Sequence, residues 1–417
     1  MTFIIVLLLV AAPLFIFLKR SSGVFYIRRL VLPFLCILFV LCLILFSGSV
    51  VKAAQNGLAL WAGVVVPSLF PFFVASEIIN STGFTRTSGI LLEPVMRPVF
   101  NVPGCASFAL LLGVTSGYPV GAKITSDLRN DGLLTKEEAE RLLAFTNNSG
   151  PLFIVGAVGT GMYGSSRIGI FLLACHILAC LTVGVLFRFY RRSGRSLIKD
   201  ARKKDLLKAF KTSLASQQIR SGGFGSILGN AIRNSVTTIL AIGGFIVLFA
   251  VVIRLLSETG LINMLAGALS YVLSPLGLDR GVLTGILSGV FEITTGSGIV
   301  SRLAAVPIAV KLPAVSLIIG WAGLSVHFQV MSITSGTDIR VLPYFFGKAL
   351  QGILAAIYTA AGIKLLQLEA FAEAPVLGSD GPGISGFLQL LLKSSLMMLV
   401  SLVLLVVISR FVKIAKS

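Results

Sequence analysis

Charge is what this 417-residue sequence has least of: Asp, Glu, Lys and Arg together make up 12% of it. Soluble domains carry about 25%, so a water-facing globular domain is excluded. With only two histidines, a histidine-rich metal site is excluded too, and no cofactor is expected. The five cysteines (Cys36, Cys42, Cys105, Cys175, Cys180) lie in apolar stretches without a Cys-x-x-Cys pair. They read as buried small hydrophobes, not as ligands or a disulfide framework. Acid is scarcer than base, 16 residues against 35. That surplus does not point to nucleic acid, because it is concentrated in one place.

Eleven of the basic residues fall between Arg188 and Arg220. There Ile198, Leu206, Leu207, Phe210 and Leu214 share one helical face with lysines and arginines opposite. The pattern predicts a cytoplasmic loop obeying the positive-inside rule, with a helix lying on an anionic lipid surface.

What is abundant is apolar sequence, 56% of the chain. Charge-free windows recur at Leu30–Val51, Ala53–Ser76, Pro98–Ala122, Leu142–Ser166, Ile168–Phe187, Asn234–Ile253 and Leu312–Thr337. They approach the ~20 residues needed to cross ~30 Å of hydrocarbon. The sequence therefore predicts an all-α polytopic membrane protein. The first apolar run lacks the basic start of a cleavable signal, its charges (Lys19, Arg20, Arg28, Arg29) following it instead. It reads as a retained span.

Placing the basic loops 19–29 and 188–220 in the cytoplasm orients the rest. Span 30–51 goes out and 53–80 returns, leaving Arg86, Arg97, Arg129, Lys136 and Arg141 inside. Segment 104–128 has both flanks on that side, so it must enter and leave by one face as a re-entrant hairpin. Spans 145–166 and 168–187 follow. In the second half 230–257 goes out, and a second interrupted segment, 282–303, enters and leaves from outside. Spans 312–334 and 342–366 come next, then an acidic external loop at 367–384 and a last span at 386–411.

The halves share punctuation at a constant offset of 177. Thr82, Gly83, Pro98 and Gly104 match Thr259, Gly260, Pro275 and Gly281, while Phe72 and Val74 match Phe249 and Val251. The division expected is two N-terminal helices (1–52), a first repeat (53–187), the basic linker (188–229), an inverted second repeat (230–366) and a C-terminal span (367–417). Inverted repeats with Gly/Pro-interrupted segments at matching positions point to a transporter site near the midplane.

Non-helical backbone in lipid persists only where protein or a water-lined cavity covers it, so four breaker-rich segments should converge. They are the tip Thr115, Ser116, Gly117, Tyr118, Pro119, with Lys123 beyond it; the stretch Asn147, Asn148, Ser149; the second hairpin's Glu292, Thr294, Thr295, Ser297; and Ser325, His327, Gln329 on the span after it. Freed N–H groups there would attract an anion and freed carbonyls a cation. Asn147, Asn148 and Ser149 could offer oxygens to Na⁺, or simply bond neighbouring helices. Glu292, an acid in apolar surroundings, could bind solute, carry a coupling proton, or neutralise Lys123. His327 could relay a proton or pack; Tyr118 and Trp321 could stack on a flat ring or on each other's helices. TSGYP is no nucleophile elbow, and GTGMYG (159–164) lacks the strand–helix context of a nucleotide loop, so an enzyme is not expected. Two dissimilar hairpins in one chain do not make the symmetric ring of a channel filter.

The strings LLLGVTSGYPVGAKITSDL and FTNNSGPLFIVGAVGTGMYG resemble the sporulation integral membrane proteins of the YlbJ/SpoVV type, which carry the nucleoside-recognition Gate domain. That family is similar to concentrative nucleoside transporters, in which two re-entrant hairpins and two unwound helices form the site. The resemblance implies site roles for Gly117–Pro119, Asn147–Ser149, Glu292, Ser325 and Gln329. It also implies movement of dipicolinic acid, a flat aromatic dianion, from mother cell toward forespore, and a place in the membrane between them. The leading expectation is thus a secondary transporter of a small aromatic anionic solute. The alternatives are a nucleoside-type carrier and a non-transporting assembly factor that recruits a partner through 188–220. A homo-oligomer is left open.

Overall fold

The computed structural model describes residues 24–81, 84–191, 224–272 and 279–366. The expected first span, most of the basic linker, Thr82, Gly83, Pro275, the acidic loop and the last span lie outside the described residues. Those that are described are helical, with no strand among them.

The described residues open with α1 (Val24–Leu45) and α2 (Ser47–Leu60). The segments Leu30–Leu45 and Ser47–Gly63 meet at 99°. The turn therefore falls at Phe46 and not near Lys52, where charge alone would put it. A π-helical stretch, Trp61–Val65, leads into α3 (Val66–Ser81). The wide π turn carries Trp61, whose Nε1 donates to the Ile239 carbonyl at 3.0 Å. Next come α4 (Phe84–Phe100), a 3₁₀ turn at Gly104–Ala106, α5 (Ser107–Thr115), α6 (Val120–Asn130) and α7 (Lys136–Thr146). A capping box fixes the start of α7, with Thr135 and Glu138 satisfying each other's backbone N–H. After an irregular stretch at 147–150 a π-helix, Leu152–Met162, precedes α8 (Ser166–Phe187).

The second half runs α9 (Phe224–Glu258), α10 (Leu261–Val272), α11 (Arg280–Phe291), α12 (Ile293–Ser301), α13 (Ile308–Trp321), α14 (Gly323–Thr334) and α15 (Leu342–Leu366). Both halves present a long helix, a short helix, two short paired helices, an interrupted helix and a second long helix, in that order.

Among the described residues, four helices are long and apolar enough to cross a bilayer, or up to six if each sharply bent pair counts as one span. Leu32, Ile44, Leu240 and Ile357 stand exposed on them. A soluble protein would bury such side chains together; here they form the face turned to lipid. Inside, one cluster joins α4–α8 to α14 and α15 through Phe100, Phe145, Val120, Val326 and Tyr344. Another joins the π-helix and α8 to α11–α13 through Ile154, Leu172, Val282 and Ile318. Tyr118 touches both clusters.

Candidate functional site

The first pair of short helices, α5 and α6, packs side by side as the arms of a hairpin. What brings them close is the lack of side chains at Gly113 and Gly121. A Cβ at either position would overlap the carbonyl oxygen of Thr146, the last residue of α7. At the tip, Gly117 has φ +89° and lies against Gly150, where a Cβ would stand 2.8 Å from its nitrogen. The Tyr118–Pro119 peptide is cis. The first hairpin tip therefore seats directly on the interrupted stretch between α7 and the π-helix.

The second half repeats this contact with different residues. α11 and α12 pair through Gly285, Gly289 and Gly296. Between α13 and α14 the chain breaks where Ala322 and Gly323 both take positive φ, 75° and 79°. Gly323 faces Phe291 and Glu292 at the second tip. Trp321 Nε1 donates to the Val290 carbonyl at 3.0 Å, fastening break to hairpin.

The two breaks are then linked to each other. Asn147 Nδ2 donates to the Tyr344 hydroxyl at 3.1 Å, and the same hydroxyl meets His327 Nδ1 at 3.1 Å. The His327 ring lies edge-on to Trp321, their centroids 4.3 Å apart, and packs on Tyr344 and Phe345 as well. Behind Asn147, the wholly buried Lys348 donates to the Asn147 carbonyl at 2.9 Å and to Gln351 Oε1 at 2.8 Å. Gln351 Nε2 donates to Asn148 Oδ1 at 2.8 Å and approaches His176 Nε2 at 3.4 Å. Asn148 also donates to the Phe145 carbonyl.

Around this network several buried polar atoms have no hydrogen-bond partner: the hydroxyls of Ser116 and Ser297, Oδ1 of Asn147, Nε2 of His327 and Nδ1 of His176, while the hydroxyls of Tyr118 and Ser149 have only each other. The Tyr118 hydroxyl lies near Ser149 and within reach of the Glu292 charge. Leaving such a group unpaired costs about 1–3 kcal/mol. A concentration of them marks a place able to engage a polar solute.

Other residues singled out in the sequence have local duties. Thr115 donates its hydroxyl back to the Leu111 carbonyl at 2.9 Å. Glu292 is the N-cap of α12, its two oxygens accepting from the backbone N–H of Thr294 and Thr295, both at 2.7 Å. The Thr295 hydroxyl donates to it too. Those two N–H groups are thus satisfied from within the hairpin. Glu292 does not neutralise Lys123, which pairs instead with Glu77 (2.9 Å) and Asp127 (2.6 Å). Lys123 and Gln329 line a separate cavity of about 300 Å³ between α6, α9 and α14, with Ser126, Thr238 and Phe245. Ser325 is buried on α14.

Tyr344, Lys348, Gln351 and His176 are not among the residues that the sequence singles out. The first three stand at i, i+4 and i+7 on α15, one face of a helix, and that spacing was the available signal.

A domain family described as Gate, nucleoside recognition, matches residues 62–182, which contain the first hairpin and the first break. The sporulation integral membrane protein YlbJ of Bacillus subtilis (strain 168) is 43% identical over 317 residues, 74% of this chain and 76% of that protein. The chain belongs to the YlbJ family. It is an integral membrane protein carrying a Gate domain, as its relative's name and its own apolar helices require. The uncharacterized protein YjiH of Escherichia coli (strain K12) is 26% identical over 145 residues, 34% of this chain and 60% of that one. No solved structure matches this YlbJ-family chain.

Proposed function

We propose that this protein is a secondary transporter whose solute binds between two hairpin tips and two helix breaks. The single observation that carries the reading is the gathering of buried polar atoms without an outside partner on those four segments: Ser116, Asn147, Ser297 and His327, with the Tyr118 and Ser149 hydroxyls facing only each other. A merely structural bundle has no use for polar groups left unpaired at such cost. The shared order of elements in the two halves supports an inverted repeat, and with it alternating access by motion of the hairpin regions against the remaining helices.

The solute best suited is small, aromatic and anionic. Hydroxyls on both hairpins and the first break can donate to carboxylates, Trp321, His327, Tyr344 and Phe345 form an aromatic wall, and Lys348 is a buried amine with no acidic partner among the described residues. Membership of a sporulation family makes dipicolinic acid the first candidate. The Gate domain's description makes a nucleoside the second, and the acceptor at Asn147 Oδ1 is the feature that would suit it.

The test is uptake of labelled dipicolinate and labelled uridine into proteoliposomes. Saturable dipicolinate flux, reduced at least tenfold in a Tyr118→Phe, Ser149→Ala double variant, is expected. Saturable flux of neither solute would remove both candidates.

A further inference from the structure

At the first break the oxygens suited to a metal cation already face one of the protein's own. α7 ends at Thr146, so its last carbonyls, carrying the negative end of the helix dipole, are released toward the break. In secondary carriers such freed carbonyls and helix C-termini ligate the coupling Na⁺. Here Lys348 reaches from α15 to the carbonyl of Asn147, the residue that caps that helix end. Gly347 makes this possible by packing against Ala144, where a Cβ would come within 2.6 Å of the Ala144 carbonyl oxygen. The ammonium then bonds the Asn147 carbonyl, and Gln351 carries the contact on to Asn148 Oδ1.

No carboxylate among the described residues bonds this amine. Among the described residues Lys348 has no salt bridge. The titratable groups that face the network are Cys180 and His176 from α8, Tyr344 from α15 itself and His327 from α14. All are neutral or basic. Burying an ammonium without a counter-ion costs several kcal/mol, and a well-packed apolar side chain could have filled the space. What meets it instead is the Asn147 carbonyl, at the negative end of α7, and Gln351 Oε1. They are the same features that would hold a metal ion.

We propose that Lys348 is a built-in cation standing where a coupling Na⁺ would bind, so that the site neither holds nor requires Na⁺. The inference rests on the transporter reading. It replaces the Na⁺ expected near Asn147, Asn148 and Ser149 with a side chain.

Thermal unfolding of the purified full-length protein in detergent tests it without any solute. Sodium chloride is compared with choline chloride at equal ionic strength. The wild-type midpoint should be the same in both. Lys348→Ser removes the ammonium while leaving the Asn147 carbonyl, Asn147 Oδ1 and Gln351 Oε1, and it should gain a saturable, sodium-specific rise of a few degrees. Lys348→Arg keeps the charge and should gain none. A sodium-specific rise in the wild type, or none in a folded Lys348→Ser, would overturn the proposal. If Lys348→Ser does not fold, the wild type still decides. An unchanged midpoint supports the proposal, and dipicolinate uptake that needs an imposed Na⁺ gradient overturns it. Absence of uptake under every gradient would count against dipicolinate as solute, and the wild-type midpoint alone would then decide whether Na⁺ binds.

Discussion

Arg129 and Asp338 form a two-pronged ion pair, Nε to Oδ1 at 2.8 Å and Nη2 to Oδ2 at 3.0 Å, joining the outer end of the first hairpin to the loop after α14. The hydrogen bonds from Arg129 hold the Asp338 carboxyl below its ordinary value. A carboxyl lowered in the folded state contributes stability that is complete above the unfolded value, about 4. It is lost as pH falls through the lower folded one. Asp338 is 49% exposed, and an exposed pair contributes only ~0.2–1 kcal/mol. Asp338→Asn should lower the unfolding midpoint slightly at neutral pH and low salt. The gap to wild type should close in strong acid and in high salt; a gap indifferent to both would mean the pair is not its source.

The seat of the first hairpin gives a steric prediction. Alanine at Gly113 or Gly121 puts a methyl group into the Thr146 carbonyl, and rigid overpacking of this kind costs roughly 1–3 kcal/mol. Each variant should unfold earlier in denaturant and lose uptake, whereas Gly48→Ala, with open space around its Cβ, should behave as wild type. Normal uptake by Gly121→Ala would show that the tip need not sit so close to the break.

Tyr344 joins the two halves through one oxygen. Tyr344→Phe strands Asn147 Nδ2 and His327 Nδ1 together, and losing a buried partner costs about 1–3 kcal/mol. A double-mutant cycle with Asn147→Ala should return a coupling energy of at least ~0.5 kcal/mol, as for residues in one network. Strict additivity would argue that the contact carries no weight.

Glu292 separates a capping role from a charge role. Glu292→Ala removes the cap of α12 and should cost ~0.5–2 kcal/mol, while Glu292→Gln keeps one acceptor and should cost less. Uptake is expected to follow stability. Equal loss of uptake in both variants, with Glu292→Gln as stable as wild type, would instead assign the charge to the solute.

The two hairpin tips and the first break could be read from the sequence because Gly, Pro and polar residues interrupt apolar runs at Ser116–Pro119, Glu292 and Asn147–Pro151, a contradiction visible locally. The bend at Phe46 had a local mark too, the Ser47–Gly48 pair beside it, but that pair lies inside a charge-free window and charge alone put the turn near Lys52. Tyr344, Lys348 and Gln351 were hidden for the opposite reason. They sit in the unbroken α15, so their convergence on Asn147 exists only once α15 has docked against α7. Lys123 misled because a lone cation in an apolar stretch suggests an anion beside it. Its partners are Asp127, one turn along α6, and Glu77, 46 positions earlier on α3.

Gly113, Gly117, Gly121 and Gly150 leave no slack between the first tip and the stretch of backbone it rests on. Pulling that tip aside would drag Asn147–Ser149 along, and with them the oxygens Lys348 touches. The first hairpin and the break beneath it thus behave as a single rigid latch, so any opening on their side has to begin at the latch's outer edges and not at its centre.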